Sequence, residues 1–151
     1  MKRMMLGAGL CLVAMIAGVS AQNANSKKGK SSDLVARGKY IVENTGMCND
    51  CHTQMTERGP DKSKYLQGAV LPFKATVPVP DWAERSANIA GLKGWSDAEG
   101  IKFFTTGIDP NGKRARPPMP EYRYNEQDAR AVIAYLRSLA PAETADSTPS
   151  K

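Results

Sequence analysis

Cys48-Asn49-Asp50-Cys51-His52 is the stretch that decides how this chain is read. Two thiols separated by two residues sit about one helical turn apart. That separation matches the two vinyl groups of a single porphyrin, to which cysteine sulfurs add as thioethers. The imidazole that follows directly is placed to reach the iron from below the ring. The pattern is the attachment signature of haem c, with Cys48 and Cys51 as the thioether residues and His52 as an axial iron ligand.

Little else in the chain competes for these side chains. The sequence has 151 residues, enough for one modest domain. Lys2 and Arg3 precede an uncharged run from Met4 to Val19, and Val19-Ser20-Ala21 is a small-residue stop. Residues 1–21 therefore read as a secretory signal peptide cleaved near Ala21, which places the protein in the periplasm. A retained anchor is the alternative, although the run falls short of the ~18 apolar residues of a spanning helix. Cleavage removes Cys11, so every remaining thiol and the sole imidazole lie between Cys48 and His52. A zinc site needs three or four protein ligands, and a disulfide framework needs more cysteines. Neither fits.

The formal charge of +6 falls to +4 without Lys2 and Arg3, since 19 basic and 15 acidic residues remain. The surface is mildly basic, and no basic run is interleaved with aromatics, so a nucleic-acid partner is not expected. Lys62, Lys64 and Lys74 form either a docking patch or a solvated face.

Around the motif the chain divides into a polar tether at 22–31, a folded domain at 32–140 and a polar tail at 141–151. Three helices are expected. The first starts at Ser32 or Asp33, carries Leu34, Val35, Ile41 and Val42 at helical spacing, and stops at Gly46. The second opens with a capping box, Ser96 with Glu99, and ends at Gly107. The third opens at Asn125, buries Ala129, Val132, Ile133, Tyr135, Leu136 and Leu139, and stops before Pro141. Between the motif and the second helix, residues 66–82 (LQGAVLPFKATVPVPDW) read as an extended, hairpin-like wrap.

The second axial ligand is sought among Met47, Met55 and Met119. The first two flank the motif on the side from which His52 enters. Met119 stands in Arg116-Pro117-Pro118-Met119-Pro120, where prolines preset the direction of the side chain. It is the expected distal ligand; the alternative is a core methionine in a proline turn. A thioether opposite an imidazole raises the reduction potential and fills the site that oxygen would need.

These residues together resemble the class I c-type cytochromes over about residues 34–140. The resemblance rests on Arg37-Gly38-Lys39-Tyr40-Ile41, CNDCH, PPMP and the closing DARAVIAYLRSL. It implies an all-α fold, three or more helices wrapped around one covalently attached haem, with the proline-rich stretch as a loop insert. It also implies that the first and last helices cross, with Gly38 against Tyr135 or a neighbour. The stretch from Leu66 through Ser86-Ala87-Asn88-Ile89 to Gly94-Trp95-Ser96 is similar to cytochrome domains associated with periplasmic dehydrogenases. Those often carry several C-x-x-C-H motifs; this sequence has one. Tyr65, Trp82, Arg85, Asn88 and Trp95 are candidates for bonding a haem propionate or lining its crevice.

The expected function is that of a single-haem electron carrier with no catalytic residues and no small-molecule substrate. Its expected partners are redox proteins: a dehydrogenase, an oxidase or another cytochrome. Contact with a membrane is expected only by transient docking, or if residues 1–21 are retained. Two alternatives stay open: a CO- or NO-binding sensor with a labile Met119, and a thiol–disulfide oxidoreductase using Cys48 and Cys51.

Overall fold

The computed structural model describes residues 30–140. The expected signal peptide and tail lie outside the described residues, as does the tether apart from residues 30 and 31. Helix α1 covers residues 30–40 and runs into one π-helical turn, Ile41–Thr45. Helices α2, α3 and α4 are Cys48–His52, Asp97–Thr106 and Glu126–Ser138. Two-residue strands β1 (Met55–Thr56) and β2 (Gly59–Pro60) pair antiparallel, with Met55 opposite Pro60. Short 3-10 turns occupy Lys62–Lys64 and Ala90–Leu92. The fold is all-α, as expected, with a small hairpin that sequence patterning did not suggest.

Local chemistry explains most of the helix ends. Ser96 Oγ accepts from Glu99 N at 3.3 Å while Glu99 Oε2 accepts from Ser96 N at 2.7 Å, the reciprocal cap expected for α3. Gly107 closes α3 at φ 76°, donating to Phe103 O. Asn125 Oδ1 accepts from Asp128 N at 2.8 Å and starts α4. The start of α1 differs from expectation. The backbone is already helical at Lys30, so Ser32 and Asp33 lie inside α1. Serine and aspartate cost well under about 1 kcal/mol in an exposed helix interior, so nothing at 32–33 forces a start. The helix does end at Gly46, whose N–H bonds Ile41 O at 2.7 Å. The left-handed residue of that corner is Met47, not Gly46.

The core gathers on α4. Ala129, Ala131, Val132, Ile133, Tyr135 and Leu136 are buried there, against Ile41 and Val42 from the π turn, Leu66, Leu92 and Phe104. α1 meets α4 at Gly38. A Cβ at that position would stand 1.9 Å from Ala131 O and 2.8 Å from Tyr135 Cβ, so only hydrogen fits. The contact anticipated between Gly38 and Tyr135 or a neighbour is present. It explains a glycine that costs helix stability on its own. Arg37 bonds Asp128 through Nε at 2.9 Å and Nη2 at 3.2 Å beside the crossing. Glu43 Oε1 accepts from both Tyr65 Oη at 2.8 Å and Tyr135 Oη at 2.7 Å. One carboxylate thereby joins α4, the π turn and the loop after the hairpin.

Two outcomes follow from this packing. Gly38→Ala forces the helices apart and lowers stability by about 1–3 kcal/mol or more, measured as a fall in denaturant midpoint of the haem-loaded protein. Burial, reinforced by Glu43, pushes the Tyr135 phenol up to about 12. A phenol whose folded pKa exceeds its unfolded value of about 10 holds its proton more tightly in the native state, so stability falls as pH rises through that window. Tyr135→Phe flattens this part of the alkaline limb in denaturant midpoints taken against pH.

Candidate haem site

The site is built on α2. Met47 at φ 47° turns the chain, and one helical turn then carries Cys48 and Cys51 to the same side with His52 as the last helical residue. Thr53 breaks out into an extended conformation. His52 and Thr53 are buried, at 7% and 1% exposure, unlike most polar residues among those described. His52 Nδ1 lies 2.7 Å from Ala87 O. A carbonyl only accepts, so Nδ1 must carry the proton and Nε2 must keep its lone pair. Burial lowers the imidazole pKa against the opposing pull of Ala87 O, which keeps the ring neutral. A neutral ring with a committed Nδ1–H is the form that binds a metal through Nε2.

The carbonyl that orients His52 is held by the proline-rich stretch. Segments 69–71 and 84–86 run antiparallel, joined by Leu71 N to Glu84 O at 3.0 Å, Ser86 N to Ala69 O at 2.9 Å and a bridge between Val70 and Arg85. Ser86 Oγ donates to Cys51 O at 2.6 Å and accepts from Ala69 N at 2.8 Å. Gly68 N donates to His52 O at 2.7 Å. At φ 87°, a Cβ on Gly68 would also come within 2.8 Å of Ser86 O and 3.0 Å of Ala87 C. Glycine is required there on both counts. The expected wrap is present, and its pairing partner is the segment just after it in sequence.

Cys48 and Cys51 are free thiols. Burial raises the pKa of Cys48 to about 11 and that of Cys51 more modestly. Redox-active cysteine pairs need a depressed pKa, so these surroundings run against the thiol–disulfide alternative. Tyr122 Oη donates to Gly46 O at 2.6 Å, two residues before Cys48. It stacks on Tyr124 with centroids 5.0 Å apart, and both rings pack on Phe104. These aromatics wall the Cys48 side of the site.

Met119 lies half-buried in a separate loop, whose turn is closed by Met119 N to Arg116 O at 3.0 Å. The Pro117–Pro118 peptide is cis. That loop is stitched to the end of the wrap, with Ala83 N donating to Pro117 O at 2.7 Å. The structure thus brings Cys48, Cys51 and His52 together in α2 and places Met119 on a loop tied to the same wrap that braces His52.

The five propionate candidates separate. The Tyr65 hydroxyl is committed to Glu43, and Asn88 Oδ1 accepts from Ala90 N. Trp95 packs edge-on against Phe103 at the rim of the core, and Arg85 is exposed. Trp82 Nε1 is buried with no hydrogen-bond partner among the described residues. An indole N–H so placed is a donor waiting for an acceptor. Lys62, Lys64 and Lys74 are all exposed. Sequence reasoning missed the specific roles of Ser86, Ala87, Gly68 and Tyr122. Ala87 and Gly68 act through backbone geometry that no residue pattern announces, and the Ser86 hydroxyl acts on distant backbone atoms that the sequence does not place beside it. Tyr122 had a signal, as one of two tyrosines just before the cap of α4.

The cytochrome c family profile matches residues 35–140. The chain is 31% identical over 115 residues to a diheme cytochrome c-type protein of Cereibacter sphaeroides, covering 71% of this chain and 36% of that protein. It is 30% identical over 120 residues to the fructose dehydrogenase cytochrome subunit of Gluconobacter japonicus, covering 72% and 23%. Identity to the cytochrome c subunit of the alcohol dehydrogenase (quinone) of Gluconobacter oxydans is 28% over 120 residues, covering 74% and 25%. The chain therefore spans only about a quarter to a third of these relatives. A helical fold built on a C-x-x-C-H turn defines a class I c-type cytochrome. The chain belongs to the cytochrome c family, whose prosthetic group is haem c.

Ser86→Ala removes one acceptor and one donor from the brace, leaving Ala69 N and Cys51 O without this partner. A loss of about 1–3 kcal/mol is expected, read from the denaturant midpoint of the haem-loaded protein.

Proposed function

We propose that this chain is a periplasmic, single-haem electron carrier. Cys48 and Cys51 would hold one haem c by thioether bonds, with His52 Nε2 and Met119 Sδ on the two faces of its iron. The observation that carries this reading is the buried His52, its Nδ1 committed to Ala87 O and its ring directly after two free thiols on one helical turn. Thiols, a neutral imidazole, a thioether and an orphaned indole N–H are the donor set such a group needs. When bound, the haem supplies an iron that alternates between Fe(III) and Fe(II).

The residues divide the remaining work. The two thioethers would prevent loss of the group. The Ala87 carbonyl orients the His52 ring, and burial keeps it neutral. The Met119 thioether, a soft donor, favours Fe(II) and excludes small ligands. Trp82 Nε1 would offer a hydrogen bond to a propionate. One electron enters and leaves, and no bond in a substrate is made or broken, so the chain needs no catalytic residue. The relatives named as dehydrogenase cytochrome subunits favour a dehydrogenase as one redox partner, with an oxidase or another cytochrome as the other. Residues 1–21 support export.

The test is the full chain produced in a host with haem-attachment machinery. The expected protein has the added mass of one haem and a low-spin spectrum in both oxidation states. Replacing Cys48 and Cys51 with Ala abolishes covalent haem. Met119→Ala turns the oxidised protein high-spin and lowers its reduction potential. A polypeptide that gains no haem mass sinks the whole reading; a Met119→Ala protein that stays low-spin with an unchanged potential removes Met119 from it.

A further inference from the structure

Arg116 behaves unlike its neighbours. Arg114 pairs with Glu121 at 2.7 Å and Arg123 reaches the same carboxylate at 3.2 Å. The Arg116 side chain instead bonds two successive main-chain carbonyls, Nε to Asp81 O at 3.0 Å and Nη2 to Trp82 O at 3.3 Å. Asp81 adopts φ 58°, an uncommon conformation for a residue with a side chain. Ala83 N donates to Pro117 O at 2.7 Å, and Met119 N donates to Arg116 O. Three hydrogen bonds therefore hold residues 116–117 to residues 81–83, and a fourth closes the turn that carries Met119.

We propose that Arg116 is the positioning residue for Met119, locking the methionine loop to segment 81–83 through its guanidinium fork. The proposal rests on Met119 being an iron ligand. A planar fork with fixed donors can meet two adjacent carbonyls at once; a lysine ammonium keeps the charge but not the fork. The chain runs on from this segment to Ala87, whose carbonyl orients His52. Segment 81–87 is thus one strap that holds the methionine loop at one end and braces the histidine at the other. Releasing Arg116 lets the thioether leave the iron more often without disturbing the α1–α4 core.

The experiment uses the full haem-loaded chain as wild type, Arg116→Lys, Arg116→Ala and Met119→Ala. Carbon monoxide uptake by the reduced protein, the spin state of the oxidised protein and the denaturant midpoint are read for each. The wild type resists carbon monoxide and Met119→Ala takes it up freely. Both Arg116 variants take it up with an affinity raised about tenfold, as expected for loss of hydrogen bonds from a charged donor. In Arg116→Lys this occurs with the denaturant midpoint close to wild type. Arg116 variants that match the wild type in carbon monoxide uptake and spin state overturn the proposal. So does uptake that rises only in step with a falling denaturant midpoint, since that marks a general structural role. If Met119→Ala itself leaves uptake and spin state unchanged, the ligation reading fails first and the Arg116 proposal falls with it.

Discussion

The hydrogen bond from His52 Nδ1 to Ala87 O is the constraint around which this protein is organised. An imidazole can offer a lone pair from only one nitrogen, and the proton on the other must be given a place to go. In a buried site, water cannot be relied on to provide it. The main-chain carbonyl of Ala87 does, 35 residues away in sequence. Bringing it there requires a loop that folds back onto α2, and most of the irregular backbone between the hairpin and α3 serves that end. Ser86 ties the loop to Cys51 O, Gly68 ties it to His52 O, and the antiparallel pairing of 69–71 with 84–86 keeps the two in register.

The brace is anchored to the helical frame by a short relay of polar contacts. α4 contributes Tyr135, which shares the Glu43 carboxylate with Tyr65. Tyr65 precedes Leu66, whose N–H bonds Thr53 Oγ1 beside His52. Carboxylates drawn out of water are costly unless their acceptor sites are met, and two phenols meet this half-buried one. The main cohesion of the frame is apolar, concentrated where α4 meets α1, α3 and the turn at Ala90–Leu92. The Arg37–Asp128 pair at the crossing is largely exposed on the arginine side, and pairs of that kind add little in water. Arg137 matters more. It donates to Gly91 O at 2.7 Å, to Leu92 O at 2.9 Å and to Trp95 O, closing the corner between the wrap and α3.

The same economy of backbone contacts runs through the methionine loop. Irregular segments satisfy their polar groups by bonding one another rather than by entering a helix or sheet. Here those bonds also decide where ligating side chains stand.

Helix periodicity, caps and the C-x-x-C-H turn depend on neighbours along the chain, and they are legible in the sequence itself. The capping box at Ser96 and Glu99, the stop at Gly107, the start at Asn125 and the buried face of α4 all followed from local chemistry. The attachment motif pointed to haem, and the extra glycine at 38 pointed to a close crossing through family resemblance. The beginning of α1 was misplaced because a good capping residue permits a helix start without compelling one. The carbonyl facing His52, the two loops joined at 81–83, the unpartnered Trp82 indole and the shared Glu43 carboxylate were not legible. Each depends on which distant backbone atoms meet once the core closes, and main-chain carbonyls carry no residue signature. Side-chain type could name the groups that bind; only the folded path of the chain could say what holds them in place.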